Sequence, residues 1–288
     1  MLTSARAWDS LSRSLLQLCV GCAAFSISVC AAQPRTIDKD ELSRIKTIGV
    51  ISTFGDKFHM FERGLVVFQN RESEHPIPEW KIDDEAVLIT KRVLGRTFGI
   101  VPITTARRSE INEAHQETMF TSTNFELIER ELRSLKLETP VDTFIILGKH
   151  RDDRGPWKGN NSFFVEGIGI FAGGRNQLAP LPGETELRDA EGPYGNRFVA
   201  PFAFYRISVI RASDFLPIGS RIAVMPTENR RFLEPATSLP SRRIHASVYK
   251  EEFRMLTEDD KRMIRKAITD VLEASISLTL KELGLTVE

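Results

Sequence analysis

The sequence predicts an α+β domain, a mixed β-sheet with helices packed mainly on one face and a long C-terminal helix. Three observations carry this. The apolar, β-branched runs "IKTIGVIS" (residues 45–52) and "VDTFIILG" (141–148) read as buried strands. Two stretches between them repeat apolar residues at helical spacing. A meander of alternating strands then gives way to one long amphipathic helix.

The elements follow in order. Residues 1–32 are set aside as a targeting segment. Residues 33–44 read as an N-terminal tether or a first short helix, and 45–288 as a single domain. The first strand, 45–52, contains Gly49. Residues 55–64 read as a connection and "LVVF" (65–68) as a second short strand. "NRESEHPIPEWKI" is polar and holds Pro76 and Pro78, which predicts a loop. Asp83 is a predicted helix N-cap, followed by Ala86, Ile89, Thr90, Val93 and Leu94 on one face and Gly95 as the stop. Residues 97–103 read as a strand. "TARRSEINEAHQETMF" has no clear period. Thr123 or Asn124 caps a second helix that presents Phe125, Ile128, Leu132 and Leu135.

After the 141–148 strand, residues 162–171 alternate and end at a glycine pair. Residues 197–212 and 221–226 read as antiparallel strands joined by "SDFLPIGS". Long loops are expected at about 172–196 and 227–247. Thr257 caps the last helix, with Glu258, Asp259 and Asp260 in its first turn, where negative charge is favoured. Met263, Ile264, Ala267, Ile268, Val271, Leu272 and Ser275 form its apolar stripe, and Gly284 stops it.

The chain carries 39 Lys and Arg against 39 Asp and Glu, so no net charge draws it to nucleic acid. Its N-terminus reads as an export signal. Arg6 and Arg13 precede the apolar run "LLQLCVGCAAFSISVCAA" (15–32), and Gln17, Ser26 and Ser28 interrupt it, which disfavours a permanent span. Val29 and Ala31 suit cleavage after Ala31, and Ala32 serves nearly as well. The expected destination is periplasmic or secreted, with no transmembrane span in the mature chain. Cys19, Cys22 and Cys30 all lie in this segment. A processed chain would have no disulfide, thiolate nucleophile or thiolate ligand. Neither Cys22, after "CVG", nor Cys30, after "ISV", sits in a good lipoprotein box, so lipidation is not the expectation.

The "IGVIS" first strand, the "VDTFIILG" strand, the hairpin strands and the final helix together resemble α/β domains of bacterial envelope proteins. These are the curli-secretion lipoprotein, the penicillin-binding-protein activator lipoprotein and the N-terminal domain of the Tol-system propeller protein. The resemblance is architectural and covers residues 45–284. "GLVVF", "IDD", "GIGIF" and "FYRISVI" also resemble a family of uncharacterised exported bacterial proteins. The resemblance implies a periplasmic accessory or binding role.

The densest chemistry lies in "GKHRDDRGPW" (148–157). If 141–147 is a central strand, its carboxyl end is where α/β proteins place ligands. "STFGDKFH" meets it there if the first strand is a parallel neighbour. Asp56, His59, His150, Asp152 and Asp153 would then form a candidate divalent-metal and catalytic set. "GD" and "GKH" resemble the GD and GNH boxes of calcineurin-like metallophosphatases. That family's D-x-H strand has no counterpart in "IGVIS", Lys149 stands where the Asn belongs, and Ala246 and Ser247 follow His245. "EGIGIFAGG" matches no phosphate-binding glycine motif, and close packing over Gly167 and Gly169 is the expectation. No G-x-S-x-G supports serine catalysis. Trp157, Arg230, Arg231, Arg242 and Arg243 are candidate partner-binding residues.

The sequence therefore leads to an exported bacterial envelope protein that binds a partner or ligand without catalysis and without a cofactor. The partner would be an envelope protein or a small ligand. The alternatives are a metal-dependent hydrolase of phosphoesterase type, with a divalent metal, and an outer-membrane assembly subunit.

Overall fold

The computed structural model describes residues 36–62, 71–120, 125–150, 166–174, 197–223, 244, 248, 250 and 252–286. All lie in one compact unit, Pro34–Glu288. The helices are α1 (Lys39–Arg44), α2 (Ile82–Leu94), α3 (Arg108–Phe120), α4 (Phe125–Glu138) and α5 (Glu258–Glu282). The strands are β1 (Thr47–Ser52), β2 (Lys57–Glu62), β3 (Arg71–Pro76), β4 (Gly99–Pro102), β5 (Thr143–Lys149), β6 (Gly167–Gly174), β7 (Arg197–Arg211) and β8 (Pro217–Ile222). The molecule is α+β, with a mixed sheet and a long C-terminal helix.

The spine of the eight-stranded sheet is β7, 15 residues long. Its carboxyl half pairs antiparallel with β5, from Arg211 opposite Thr143 to Tyr205 opposite Lys149. Its amino half pairs with β6, from Phe204 opposite Gly167 to Arg197 opposite Gly174. The Tyr205 and Val199 carbonyls point to the other edge, where they accept the N–H groups of Ala223 and Ile244. Alternation then puts β5 and β6 end to end along one edge of β7. β1 lies parallel to β5 and β2 parallel to β6, so β1 and β2 also run end to end. β4 flanks β1 in parallel, β3 flanks β2 antiparallel, and β8 returns along the far edge of β7. The sheet is thus broken at one level, between Ser52 and Lys57 in one row and between Lys149 and Gly167 in the next.

Side chains alternate across the sheet. Ile48, Val50, Ile145 and Leu147 join the larger core under α2 and α5, while Ile51, Phe144 and Ile146 join a second core with Ile111, Ala114, Ile128 and Leu132 of α3 and α4. The sequence placed the helices mainly on one face; α3 and α4 cover the other face over β1 and β5. The reason is handedness. The crossover β1–α2–β4 and the crossover from β4 through α3 and α4 to β5 run in opposite directions along the sheet. Right-handed connections in opposite directions lie on opposite faces.

α5 carries the larger core. Thr257 Oγ1 accepts the Asp260 N–H at 3.1 Å, and Asp260 Oδ2 accepts the Thr257 N–H at 3.0 Å, a reciprocal capping box. Ile264, Ile268, Val271, Leu272, Ile276 and Leu280 are fully buried, each contributing about 1.5–3 kcal/mol on burial. Met263, expected in this stripe, is 48% exposed. Gly284, at φ +83°, ends the helix in the left-handed conformation.

Several expected boundaries move. The 33–44 segment, expected as a tether or a first short helix, is helical over Lys39–Arg44, and Ile37 is buried with its N–H on the Leu283 carbonyl. Arg211 holds Glu41 through Nε and Nη2 at 3.0 and 2.8 Å, which fixes α1 to β7. The 55–64 connection contains β2. The polar loop before α2 contains β3 and a 3₁₀ turn, Pro78–Trp80. β3 has no apolar period because it is mostly exposed; its pairing with β2 alone makes it a strand. β8 begins at Pro217, so the hairpin loop is shorter than "SDFLPIGS". Residues 65–68 and 162–165, and most of the two expected long loops, lie outside the described residues.

Close packing, expected over both Gly167 and Gly169, holds at Gly169; Gly167 instead takes a left-handed φ of +67°, and an added Cβ there would have neighbours no nearer than 3.4 Å. His59 lies over Gly167, and a Cβ on Gly169 would collide with the His59 carbonyl oxygen and the Phe202 ring. Neither neighbour is a flexible chain end. Gly169→Ala is therefore expected to destabilise the protein by about 2–3 kcal/mol in urea unfolding. Gly99→Ala, whose new Cβ meets nothing nearer than 3.6 Å, is expected to stay within about 0.5 kcal/mol.

Candidate functional site

The site begins where the sheet breaks. Beyond Ser52 the chain makes one more ladder contact, Thr53 N–H to the Leu147 carbonyl at 2.9 Å, and then leaves β5. The next two N–H groups turn to Asp83 in the first turn of α2. Asp83 Oδ1 accepts the Ser52 hydroxyl at 2.6 Å and the Phe54 and Gly55 N–H groups at 3.0 and 3.1 Å. Asp83 is only 4% exposed. It is not the N-cap the sequence predicted. That position is Lys81, left-handed at φ 49°, and the carboxylate serves the β1 exit instead of its own helix. Gly55 is required here because an added Cβ would strike Ile82 at 2.7 Å.

A cleft of about 380 Å³ opens at this point, lined by Thr53, Gly55, Asp56, Lys81, Asp83, Arg108, Asn112 and Lys149, among others. Its position follows from topology. β4, β1 and β5 are neighbours in that order, and the helices after β1 and after β4 lie on opposite faces. The carboxyl ends of β1 and β5 are therefore the switch point at which an open parallel sheet leaves a crevice. The amino ends of α2 and α3 border it, bringing their positive dipole ends.

Four cations line the cleft: Lys57, Lys81, Arg108 and Lys149. Lys149, 7% exposed, reaches Asp56 Oδ1 at 2.6 Å. Arg108 makes only long contacts, 3.4 Å to Asp83 and 3.3 Å to Asp84, and its side chain is 39% exposed. Asn112 Oδ1 accepts the Lys149 N–H at 3.1 Å and so ties α3 to the end of β5.

Of the residues singled out from sequence, the structure brings Asp56 into this cleft, and β1 and β5 are parallel neighbours as the reading required. His59 points to the opposite face of β2 from Phe58 and Met60, and pairs across the ladder with Glu74. His150 is buried at the end of β5. Asp152, Asp153, Trp157, Arg230, Arg231, Arg242 and Arg243 lie outside the described residues.

Sequence reasoning missed Asp83, Lys149 and Arg108, and it missed the histidine beneath the cleft. His115, which reads as a loop residue in a polar stretch, is fully buried on α3. Its ring rests on Gly148, and Nε2 shares a 2.8 Å hydrogen bond with Ser208 Oγ. Ser208 Oγ lies 3.3 Å from Ser220 Oγ, which accepts from Arg206 at 3.3 Å. Burial pushes the His115 pKa down to about 3, with Arg206 and His150 adding to the shift. The only sequence signal was indirect: His115 stands one position after Ala114 and four after Ile111, on the buried side of a weakly amphipathic helix.

Two outcomes follow. Asp83→Ala leaves the Ser52 hydroxyl and two buried N–H groups without their acceptor, and is expected to cost about 3 kcal/mol or more in urea unfolding. The second concerns acid. His115 binds its proton near pH 6.5 when unfolded and near 3 when folded. The unfolded state therefore takes up more protons in that interval, so stability present above pH 6.5 is lost as pH falls toward 3, with a slope of about 1.4 kcal/mol per pH unit. In His115→Gln, urea midpoints measured from pH 7 to 4.5 are expected to fall less steeply than in the parent.

Comparison of the chain with protein-family models finds no match, and comparison with curated proteins finds none either, so the functional reading rests on this geometry.

Proposed function

We propose that this is an exported bacterial envelope protein that binds a small anionic ligand, of phosphate or carboxylate chemistry, in the cleft at the carboxyl ends of β1 and β5. The cleft carries the reading: Arg108, Lys81 and Lys149 line a crevice bordered by two helix amino ends. Positive dipole ends favour an anion there, and Arg108 supplies a planar donor array that its long contacts to Asp83 and Asp84 hold only loosely. Binding without catalysis fits the site's groups. Asp56 is held by Lys149, and Asp83 by three donors of the β1 exit.

The envelope assignment draws on the signal-like segment with Arg6, Arg13 and the apolar run 15–32, and on the architectural resemblance to periplasmic domains. Among the described residues, no helix is long and apolar enough to cross a membrane.

The test is calorimetric titration with inorganic phosphate, pyrophosphate and citrate. At least one is expected to bind one per chain, with Kd rising about tenfold or more in Arg108→Ala and unchanged in Arg262→Ala, whose guanidinium sits on the outer face of α5. No binding by any of the three, or unaltered binding in Arg108→Ala, would reject the anion site.

A further inference from the structure

The orphaned imidazole of His59 marks a second location, on the β2–β3 ribbon. His59 is 1% exposed, yet among the described residues neither ring nitrogen has a hydrogen-bond partner. Buried polar groups are nearly always paired, so an unpaired one is a question about what it meets. Across the ladder, His59 stands opposite Glu74 and Phe61 opposite Glu72. Residues two apart on a strand share a face, so both carboxylates lie on the His59 side. His59 Nδ1 is 3.7 Å from Glu74 Oε1. That distance is too long for a hydrogen bond. It is the separation expected of two atoms bound to one ion at about 2.0–2.1 Å each, with an angle between tetrahedral and linear. One ligand atom from each of His59, Glu72 and Glu74 lies within 4.8 Å of the others.

We propose that His59, Glu72 and Glu74 form a binding site for one divalent transition-metal ion, with water completing its coordination. The site is separate from the anion cleft and shares only His59 with the metal set read from sequence.

The surroundings fit a ligand set. Burial drives the His59 pKa down to about 4, so the ring is neutral and able to donate a lone pair at physiological pH. Lys57 Nζ donates to Glu74 Oε2 at 2.9 Å, which orients the carboxylate and leaves Oε1 toward the ring. Such outer partners commonly fix metal-binding carboxylates. The Phe61 ring stacks beside the imidazole at 6.1 Å, and Gly167 lies beneath it, so the ring has little room to turn away. One imidazole with two carboxylates suits zinc, iron or manganese.

The experiment uses Zn²⁺ on the full chain. After exchange against excess zinc and gel filtration, metal per chain is measured by mass spectrometry and affinity by competition with a chromophoric chelator. His59 is buried and its replacement risks misfolding, so the variants are the exposed Glu72→Gln and Glu74→Gln, with Asp56→Asn as control. The expected result is about one zinc per chain, weakened tenfold or more in each Glu variant and unchanged in Asp56→Asn. Cobalt substitution should give d–d bands without a thiolate charge-transfer band, which separates this site from the cysteines of residues 19–30. Absence of bound zinc, or parent-like affinity in both Glu variants, would overturn the proposal. Loss in Asp56→Asn with retention in the Glu variants would overturn it in favour of the set around Asp56.

Discussion

One carboxylate holds the broken sheet together. At Ser52 the chain must leave the parallel ladder, and the donors it strands there are buried. Asp83 meets three of them with a single oxygen. Left unpaired, each would cost about 1–3 kcal/mol. The consequence reaches beyond the turn. With its N–H held, Phe54 stacks its ring on Tyr205 at 4.8 Å, and the Tyr205 hydroxyl meets Ser275 Oγ of α5 at 2.6 Å. α2, the β1 exit, β7 and α5 are thereby joined through one continuous set of contacts.

The break itself is what makes room for chemistry. An unbroken pair of long strands would have filled the level between Ser52 and Lys57 with paired backbone. β7 crosses that level as one strand because its two partners succeed each other along the same edge. β1 and β5 instead end there, and the helices that follow β1 and β4 lie on opposite faces. The crevice is wide enough for a small ligand, and it is lined from six segments: the β1 exit, the start of β2, the 3₁₀ turn, the start of α2, the start of α3 and the end of β5. No one of these segments carries a recognisable motif.

The interior is more polar than the composition implies. His59 and His115 are both buried and held neutral by desolvation, one on β2 and the other on α3. Buried polar groups cost free energy unless they are paired. His115 meets this at Nε2 with Ser208, backed by the Ser220–Arg206 contact. Among the described residues, His59 has no hydrogen-bond partner at either nitrogen.

Local pattern determined much of this protein. Apolar runs rich in β-branched residues placed β1 and β5, because strands buried on both faces carry little else. The cap at Thr257, the acids after it and the stripe ending at Gly284 placed α5, because capping and amphipathic spacing are local properties. The carboxyl ends of those two strands were legible as the place to look, and Asp56 lies there. Only the tertiary structure decided the rest. β3 is a strand only by its pairing with β2, which lies between it and β6, and an exposed edge needs no apolar period. Among its described side chains α3 buries Ile111, Ala114 and a histidine, so its pattern is faint. Asp83, Arg108 and Lys149 look like an ordinary helix start, a polar stretch and a strand end until the sheet breaks between them. Their roles depend on which strands are neighbours and where pairing stops, and those are relations between distant segments that no stretch of sequence contains.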